Sequence, residues 1–452
     1  MKRFILSLSL LTAAVSGGFA QGQNIKFTEY DLPNGLHVIL HEDHATPIVN
    51  VAVMYHVGSK NEDPKRTGFA HFFEHLMFEG TDNIGRGEYF KMIQANGGVL
   101  NANTSHDRTY YFQTLPSNQE ELALWMEAER MLHAKVDSTG IETQRKVVKE
   151  EKKQSYDNRP YGDLMEVVFK NAYTKHPYNW MPIGSAQYID EAKYSEFMDF
   201  YKLFYVPNNA VLVVAGDIKV DQTKKWIEKY YAGIPKGTQA IPRPEVAEPA
   251  FGKQKEVYHY ANAPLPAVIL GYHSPKLGSD DAYAMEILNK ILAGSSSSRL
   301  QMELVDKSQK ALAMMSFAYP LEADPGLSVM FCIPNQGVDY KDALKDVDAE
   351  IEKIQKAPVS KEEFERVQTQ VETEFVQQNA KIAGLAENLA TSYTYFRNTN
   401  LVNSELAKYQ KVTPADITRV ANKYFNKDNR LVVYYLPKSM EKKTANADIS
   451  KA

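Results

Sequence analysis

The feature that most limits the folds open to this chain of 452 residues is that its sequence starts again partway along. Pro266-Ala267-Val268-Ile269-Leu270-Gly271-Tyr272-His273 echoes Pro47-Ile48-Val49-Asn50-Val51-Ala52-Val53-Met54-Tyr55-His56. Further on, Phe204-Tyr205-Val206-Pro207-Asn208-Asn209-Ala210-Val211-Leu212 is matched by Tyr424-Phe425-Asn426-Lys427-Asp428-Asn429-Arg430-Leu431-Val432. A period of about 220 residues is far longer than a solenoid repeat and indicates tandem copies of one domain. Between the copies, residues 234–251 carry Pro235, Gly237, Pro242, Pro244 and Pro249 without periodicity, which reads as a linker. The expected division is a first domain over 25–233, a linker over 234–252, a homologous second domain over 253–440 and a tail over 441–452.

Within the first copy, strands are expected at 27–30, 36–40 and 48–56, the first two joined by Pro33-Asn34-Gly35. Helices are expected at 87–95, 119–134, 141–154 and 188–204, a β-rich stretch at 100–114 and a buried strand at 210–216. This mixture predicts an α+β fold, each half a sheet packed with helices.

The chemistry is concentrated in Gly68-Phe69-Ala70-His71-Phe72-Phe73-Glu74-His75-Leu76-Met77-Phe78. On a helix, His71, Glu74 and His75 share one narrow stripe, because positions i, i+3 and i+4 are neighbours. Phe69, Ala70, Phe72, Phe73, Leu76 and Met77 fill the opposite arc. Such a helix is buried by its apolar side and presents two imidazoles and a carboxylate on the other. Two neutral nitrogen donors a turn apart, with a carboxylate to take a proton from water, suit a catalytic zinc ion. In the second copy the place of this helix is taken by Gly294-Ser295-Ser296-Ser297-Ser298-Arg299-Leu300, which has no His, so no second metal site is expected there.

Composition narrows the donors and the partners. The single cysteine, Cys332, lies in an apolar stretch, which rules out an intramolecular disulfide and reads as a buried small hydrophobe. Metal ligands must therefore come from His, Asp and Glu. A net charge of -4 gives no footing for nucleic acid. Lys2 and Arg3, the apolar run 4–15 and Gly18-Phe19-Ala20 before Gln21 read as a signal peptide over 1–20. An uncleaved anchor is the alternative. A periplasmic or secreted chain without a stable membrane anchor is the expectation.

A zinc site needs a third protein ligand. On the helix at 141–154, Ile141, Gln144, Val147, Val148 and Glu151 share one face, while Glu150 points about 100° away. A carboxylate on a mostly apolar face is costly unless paired or metal-bound, which favours Glu151 over Glu150. A half-exposed Glu on a charged helix is the alternative at this point.

His-x-x-Glu-His is the inverted form of the thermolysin-type zinc motif. With its flanks, the chain resembles the pitrilysin/insulinase metallopeptidase family, in its bacterial, processing-peptidase-like branch. The resemblance runs through Gly58-Ser59, Glu62, Gly68, Gly80-Thr81, Asn101-Ala102-Asn103-Thr104, Arg145-Lys146-Val147-Val148-Lys149-Glu150-Glu151, the Pro177-Tyr178 to Ile183-Gly184 segment and Gly216-Asp217. It implies two mostly antiparallel domains forming half of a clamshell, with Zn2+ held by His71, His75 and Glu151 and water activated by Glu74. It further implies that a peptide substrate pairs as an added strand near Asn101 and Ala102. Two departures stand out. Family members often carry a Glu where this chain has Gln144. Active single-chain members carry an Arg and a Tyr in the second half, where alignment places Lys307 and Met314. The expectation is therefore a zinc endopeptidase for unfolded peptides that acts as the catalytic subunit of a heterodimer, whose homologous partner supplies the Arg/Tyr pair. A homodimer, or a single chain using Tyr319, are the alternatives to that assembly. A peptide-binding or assembly subunit that kept the fold is the alternative function. A metal-storage role is disfavoured by the poor capacity of one three-ligand site.

Overall fold

A computed structural model describes residues 24–441. The signal-peptide expectation and nearly all of the tail lie outside them. The first half runs β1 (Thr28–Asp31), β2 (His37–Glu42), β3 (Ile48–Tyr55), α1 (Phe69–Leu76), α2 (Glu88–Ala95), β4 (Val99–Thr104), β5 (Thr109–Pro116), α3 (Glu120–His133) and α4 (Ser138–Lys152). It continues with α5 (Leu164–Ala172), α6 (Ala186–Glu191), α7 (Tyr194–Phe204), β6 (Ala210–Gly216) and α8 (Val220–Tyr231). The second half runs β7 (Lys255–Ala261), β8 (Ala267–Ser274), α9 (Asp280–Ala293), β9 (Ala311–Tyr319), β10 (Gly326–Pro334), α10 (Tyr340–Lys356) and α11 (Lys361–Asn379). It closes with α12 (Ile382–Phe396), α13 (Glu405–Lys411), α14 (Pro414–Tyr424) and β11 (Arg430–Pro437).

The repeat in the sequence is a repeat in topology. The first sheet has the order β1-β2-β6-β3-β5-β4 and the second β7-β11-β8-β10-β9. Removing β1 superposes the two orders strand for strand. The one parallel pair in each sheet falls at the matched place, β2 with β6 and β7 with β11, and the remaining pairs are antiparallel. The fold is α+β, with two mostly antiparallel sheets packed with helices.

Each sheet is buried on both faces, which explains the unbroken burial of β6 and β8. One face is covered by helices of the same half. The other is covered by a helix from the opposite half. Leu385, Ala386, Leu389 and Ala390 of α12 pack on Ile39, Ala52, Met54, Val211 and Val213 of the first sheet. In return, Val168, Phe169 and Ala172 of α5, with Tyr173 just past its end, pack on Ile269, Val329, Leu431 and Val433 of the second. Between the halves, Lys60 Nζ lies 2.9 Å from Asp107, is also paired with Glu322, and is buried.

Two local expectations need correction, and the β-rich one is refined. The helix expected at 188–204 is two helices. Lys193 is extended, its N–H is capped by the Glu196 carboxylate at 2.7 Å, and the freed carbonyl of Ala192 accepts from Arg145 Nη2 at 2.5 Å. The β-rich stretch 100–114 folds back as the β4–β5 hairpin, its turn closed by Ser105 N–H to the Arg108 carbonyl at 2.8 Å. The counterpart of α1 is α9, and not the serine run at 294–300. α9 follows β8 as α1 follows β3, and packs on β9 as α1 packs on β4. Ser279, Asp280 and Asp281 start that helix well before the serines.

Gly184 tests how tightly the first half closes. Its φ is +61°, and a Cβ there would lie 2.3 Å from the Cα of Gly68, the residue that starts α1. Gly184→Ala is expected to destabilise the chain by about 2–4 kcal/mol, from left-handed backbone strain plus overpacking. The readout is a lowered denaturation midpoint, with Gly233→Ala, which meets nothing within 4 Å, as the silent control.

Candidate metal centre

α1 is eight residues long, too short to stand alone, and three contacts fix it. Its aromatic side packs on α7, with the rings of Phe69 and Phe72 4.7 and 4.6 Å from Phe197 and Phe73 5.6 Å from Phe200. Glu62 accepts from the N–H groups of Gly68 and Ala70 at 2.9 and 2.8 Å, placing a carboxylate at the helix N-terminus. Trp180 Nε1 holds the same carboxylate at 3.1 Å. Gly68 enters the helix with φ +103°.

With the apolar arc buried, His71, Glu74 and His75 remain on the half-buried stripe, as their spacing requires. α4 packs across α1 and brings Glu151 to it. His75 Nε2 lies 3.1 Å from Glu151 Oε2, and His71 Nε2 lies 3.6 Å from Glu151 Oε1. Glu150 is exposed and bonded to Gln154. Among the described residues, His71, His75 and Glu151 are the one group of three whose donor atoms all fall within 4.8 Å of one another. That spacing and the nitrogen, nitrogen, oxygen donor set fit a zinc ion with an open fourth position.

The electrostatics suit the same use. Burial, aided by the neighbouring His75, pushes the His71 imidazole down to about 4 against the pull of Glu151, so it is a neutral donor at ordinary pH. The hydrogen bond from His75 holds the Glu151 carboxyl below the usual range. Burial raises Glu74, and the Thr104 hydroxyl, donating to Glu74 Oε2 at 2.6 Å, opposes that rise. Sequence alone does not show this role of Thr104, because it depends on how β4 crosses α1.

β4 is the outer strand of the first sheet. Asn101 is exposed, Ala102 is buried opposite Tyr111, and the Asn101 side chain accepts from the Ala102 N–H at 2.9 Å. The second-half positions are occupied otherwise. Lys307 pairs with Glu303 at 2.5 Å, and Met314 is buried in the second core. Tyr319 packs edge-on against His106 and Phe169 between the halves.

Two matched α+β halves, one of which carries a single His, His, Glu donor set, define a class of two-domain metallopeptidase-like chains. Residues 37–181 match the family described as Insulinase (Peptidase family M16), and residues 192–371 match the Peptidase M16 inactive domain. The zinc protease PqqE of Helicobacter pylori is 31% identical over 444 residues, covering 97% of this chain and 99% of that protein. The uncharacterized zinc protease YmxG of Bacillus subtilis is 26% identical over 294 residues, covering 64% of this chain and 69% of that protein. A crystal structure of a protease from Helicobacter pylori matches with a TM-score of 0.86 at 30% identity, covering 91% of this chain and 100% of that one. The periplasmic protease PqqL of Escherichia coli shares the fold with a TM-score of 0.73 at 20% identity, over 94% of this chain and 48% of its own. The chain belongs to the M16 (insulinase) peptidase family.

The donor set predicts one zinc ion per purified chain. Glu151→Gln is expected to keep the circular dichroism of the parent and to weaken zinc by more than about 100-fold, beyond the range for groups that only support a ligand. Chelator competition measures it.

Proposed function

We propose that this chain is an exported zinc metalloendopeptidase that cleaves unfolded peptides, as the catalytic subunit of a heterodimer. The observation that carries the reading is the convergence of His71, His75 and Glu151 beside Glu74, at the end of an open sheet edge. Bound there, zinc would polarise the scissile carbonyl and lower the pKa of water. The rest falls to the chain. β4 offers its outer edge to an extended peptide, which adds as a strand in a register set by backbone pairing. The Asn101 side chain gives up the Ala102 N–H to that strand. Glu74, with Oε2 held by Thr104, uses Oε1 to take the proton from the attacking water and passes it to the leaving amine. The two imidazoles stay fixed as donors throughout.

Relatives called zinc proteases support the peptidase reading. The signal-like pattern over 1–20 supports export to the periplasm or medium. The heterodimer rests on Lys307 and Met314. Neither residue supplies the bidentate fork or the phenol that the family resemblance assigns to those positions. A binding or assembly subunit is the competing reading, drawn from the same two residues.

Cleavage of a fluorogenic peptide separates these readings. Glu74→Gln is expected to retain zinc and to lose about 10²–10⁴-fold in kcat. Zinc bound with parent and Glu74→Gln equally inactive, even with the partner present, would give the function to the binding reading. Full activity of the lone chain would end the heterodimer. Thr104→Val removes the hydroxyl that favours the charged form of Glu74. The carboxyl pKa then rises, and the acid limb of the kcat/KM profile moves to higher pH. An unmoved limb would exclude the assigned role of Thr104.

A further inference from the structure

Gln144 is a departure that the mechanism does not use. It sits two turns before Glu151 on the same face of α4. Its Nε2 donates to Glu79 Oε1 at 2.6 Å. Glu79 lies four residues after His75, just past the end of α1, and is 7% exposed. Its other oxygen pairs with Arg86. Arg86 Nη2 in turn reaches both oxygens of Asp137 at 2.9 and 2.8 Å. Asp137 caps α4, accepting from the Gly140 N–H at 2.7 Å.

These contacts close a ring. It leaves α4 at its cap, passes through Arg86 to the end of α1, and returns to α4 at its second turn. Inside the ring the helices nearly touch, since a Cβ on Gly140 would lie 3.3 Å from Leu76 Cδ1 and 2.9 Å from Arg86 Nη1. α1 carries two of the metal donors and α4 carries the third.

We infer that Glu79 is the carboxylate of a strap, Asp137–Arg86–Glu79–Gln144, that sets the spacing of α1 and α4 and thereby positions His71 and His75 against Glu151. The inference deepens the zinc reading and rests on it. The strap also explains the residue at 144. Each oxygen of the buried Glu79 accepts one hydrogen bond, Oε2 from Arg86 and Oε1 from α4. Gln supplies an N–H there. A Glu at 144 would bring a second carboxylate within 2.6 Å of the first, and both could not stay charged. Glu79 and Gln144 are therefore a matched pair, with the acid on the α1 side and the amide on the α4 side. Both are positioning residues, and neither is a metal donor in this geometry.

The test is an exchange. Glu79→Gln and Gln144→Glu are made singly and together in the full chain. Zinc affinity is read by chelator competition and stability by thermal melts of the metal-free protein. Each single change is expected to weaken zinc by about tenfold or more, as loss of a supporting partner does. The double exchange restores one acid and one amide at 2.6 Å, and zinc affinity is expected to return to within about twofold of the parent. Metal-free melts follow the same order. If Glu79→Gln does not fold, Asp137→Asn opens the ring at its exposed end and is expected to weaken zinc in the same sense. Singles that bind like the parent, or a double no better than the singles, overturn the strap. Glu151→Gln separates the two failures. If it binds zinc like the parent, the zinc site itself is wrong; if it loses zinc while the singles do not, only the strap is.

Discussion

The rest of the structure depends on the burial of one aromatic arc. α1 has barely two turns of hydrogen bonds, and the stacking of Phe69, Phe72 and Phe73 on Phe197 and Phe200 decides which way it faces. Once that arc is turned inward, the remaining stripe has one direction left, toward α4 and β4. The N-terminal end is fixed by Glu62 and by the backbone of Gly184 against Gly68. The C-terminal end meets Gly140 of α4 through Leu76. The polar residues that face the site are thus aimed by apolar and backbone contacts that never touch it.

What was legible in the sequence follows from this. The stripe of His71, Glu74 and His75 needs only helical spacing, and it is where that spacing puts it. Glu151 needed a helix face and a resemblance, since nothing local says that α4 crosses α1. Thr104, Arg86 and Glu79 gave no signal, because a Thr in a strand and a Glu and an Arg near a helix end are ordinary until packing brings them together. The break at Ala192 was hidden for the same reason, as its carbonyl is claimed by Arg145 from another helix. The order of strands was legible only as a repeat. Apolar positions on α5 and α12 announce burial, but they do not say that each helix covers the other half's sheet.

That exchange of helices bears on why the second half persists without a metal site. Without α12, the strands β3 and β6 would expose Ala52, Met54, Val211 and Val213, on the sheet that supports the donors. The second half is therefore required by the first for burial, whatever chemistry it has. α9 shows what the matched position becomes without the two imidazoles. Tyr283, Met285, Ile287, Leu288, Ile291 and Leu292 are buried over most of its circumference, and the buried Asn289 accepts from the hydroxyls of Ser316 and Ser328. Its remaining half-buried stripe holds Ala282, Glu286 and Lys290, which include no His, and Lys290 pairs with Glu374 of α11 at 2.6 Å. α1 keeps its open stripe because α4 meets it with a carboxylate. Of two copies of one fold, the first sets two imidazoles against a carboxylate and the second sets a lysine against one, and the donor set follows that asymmetry.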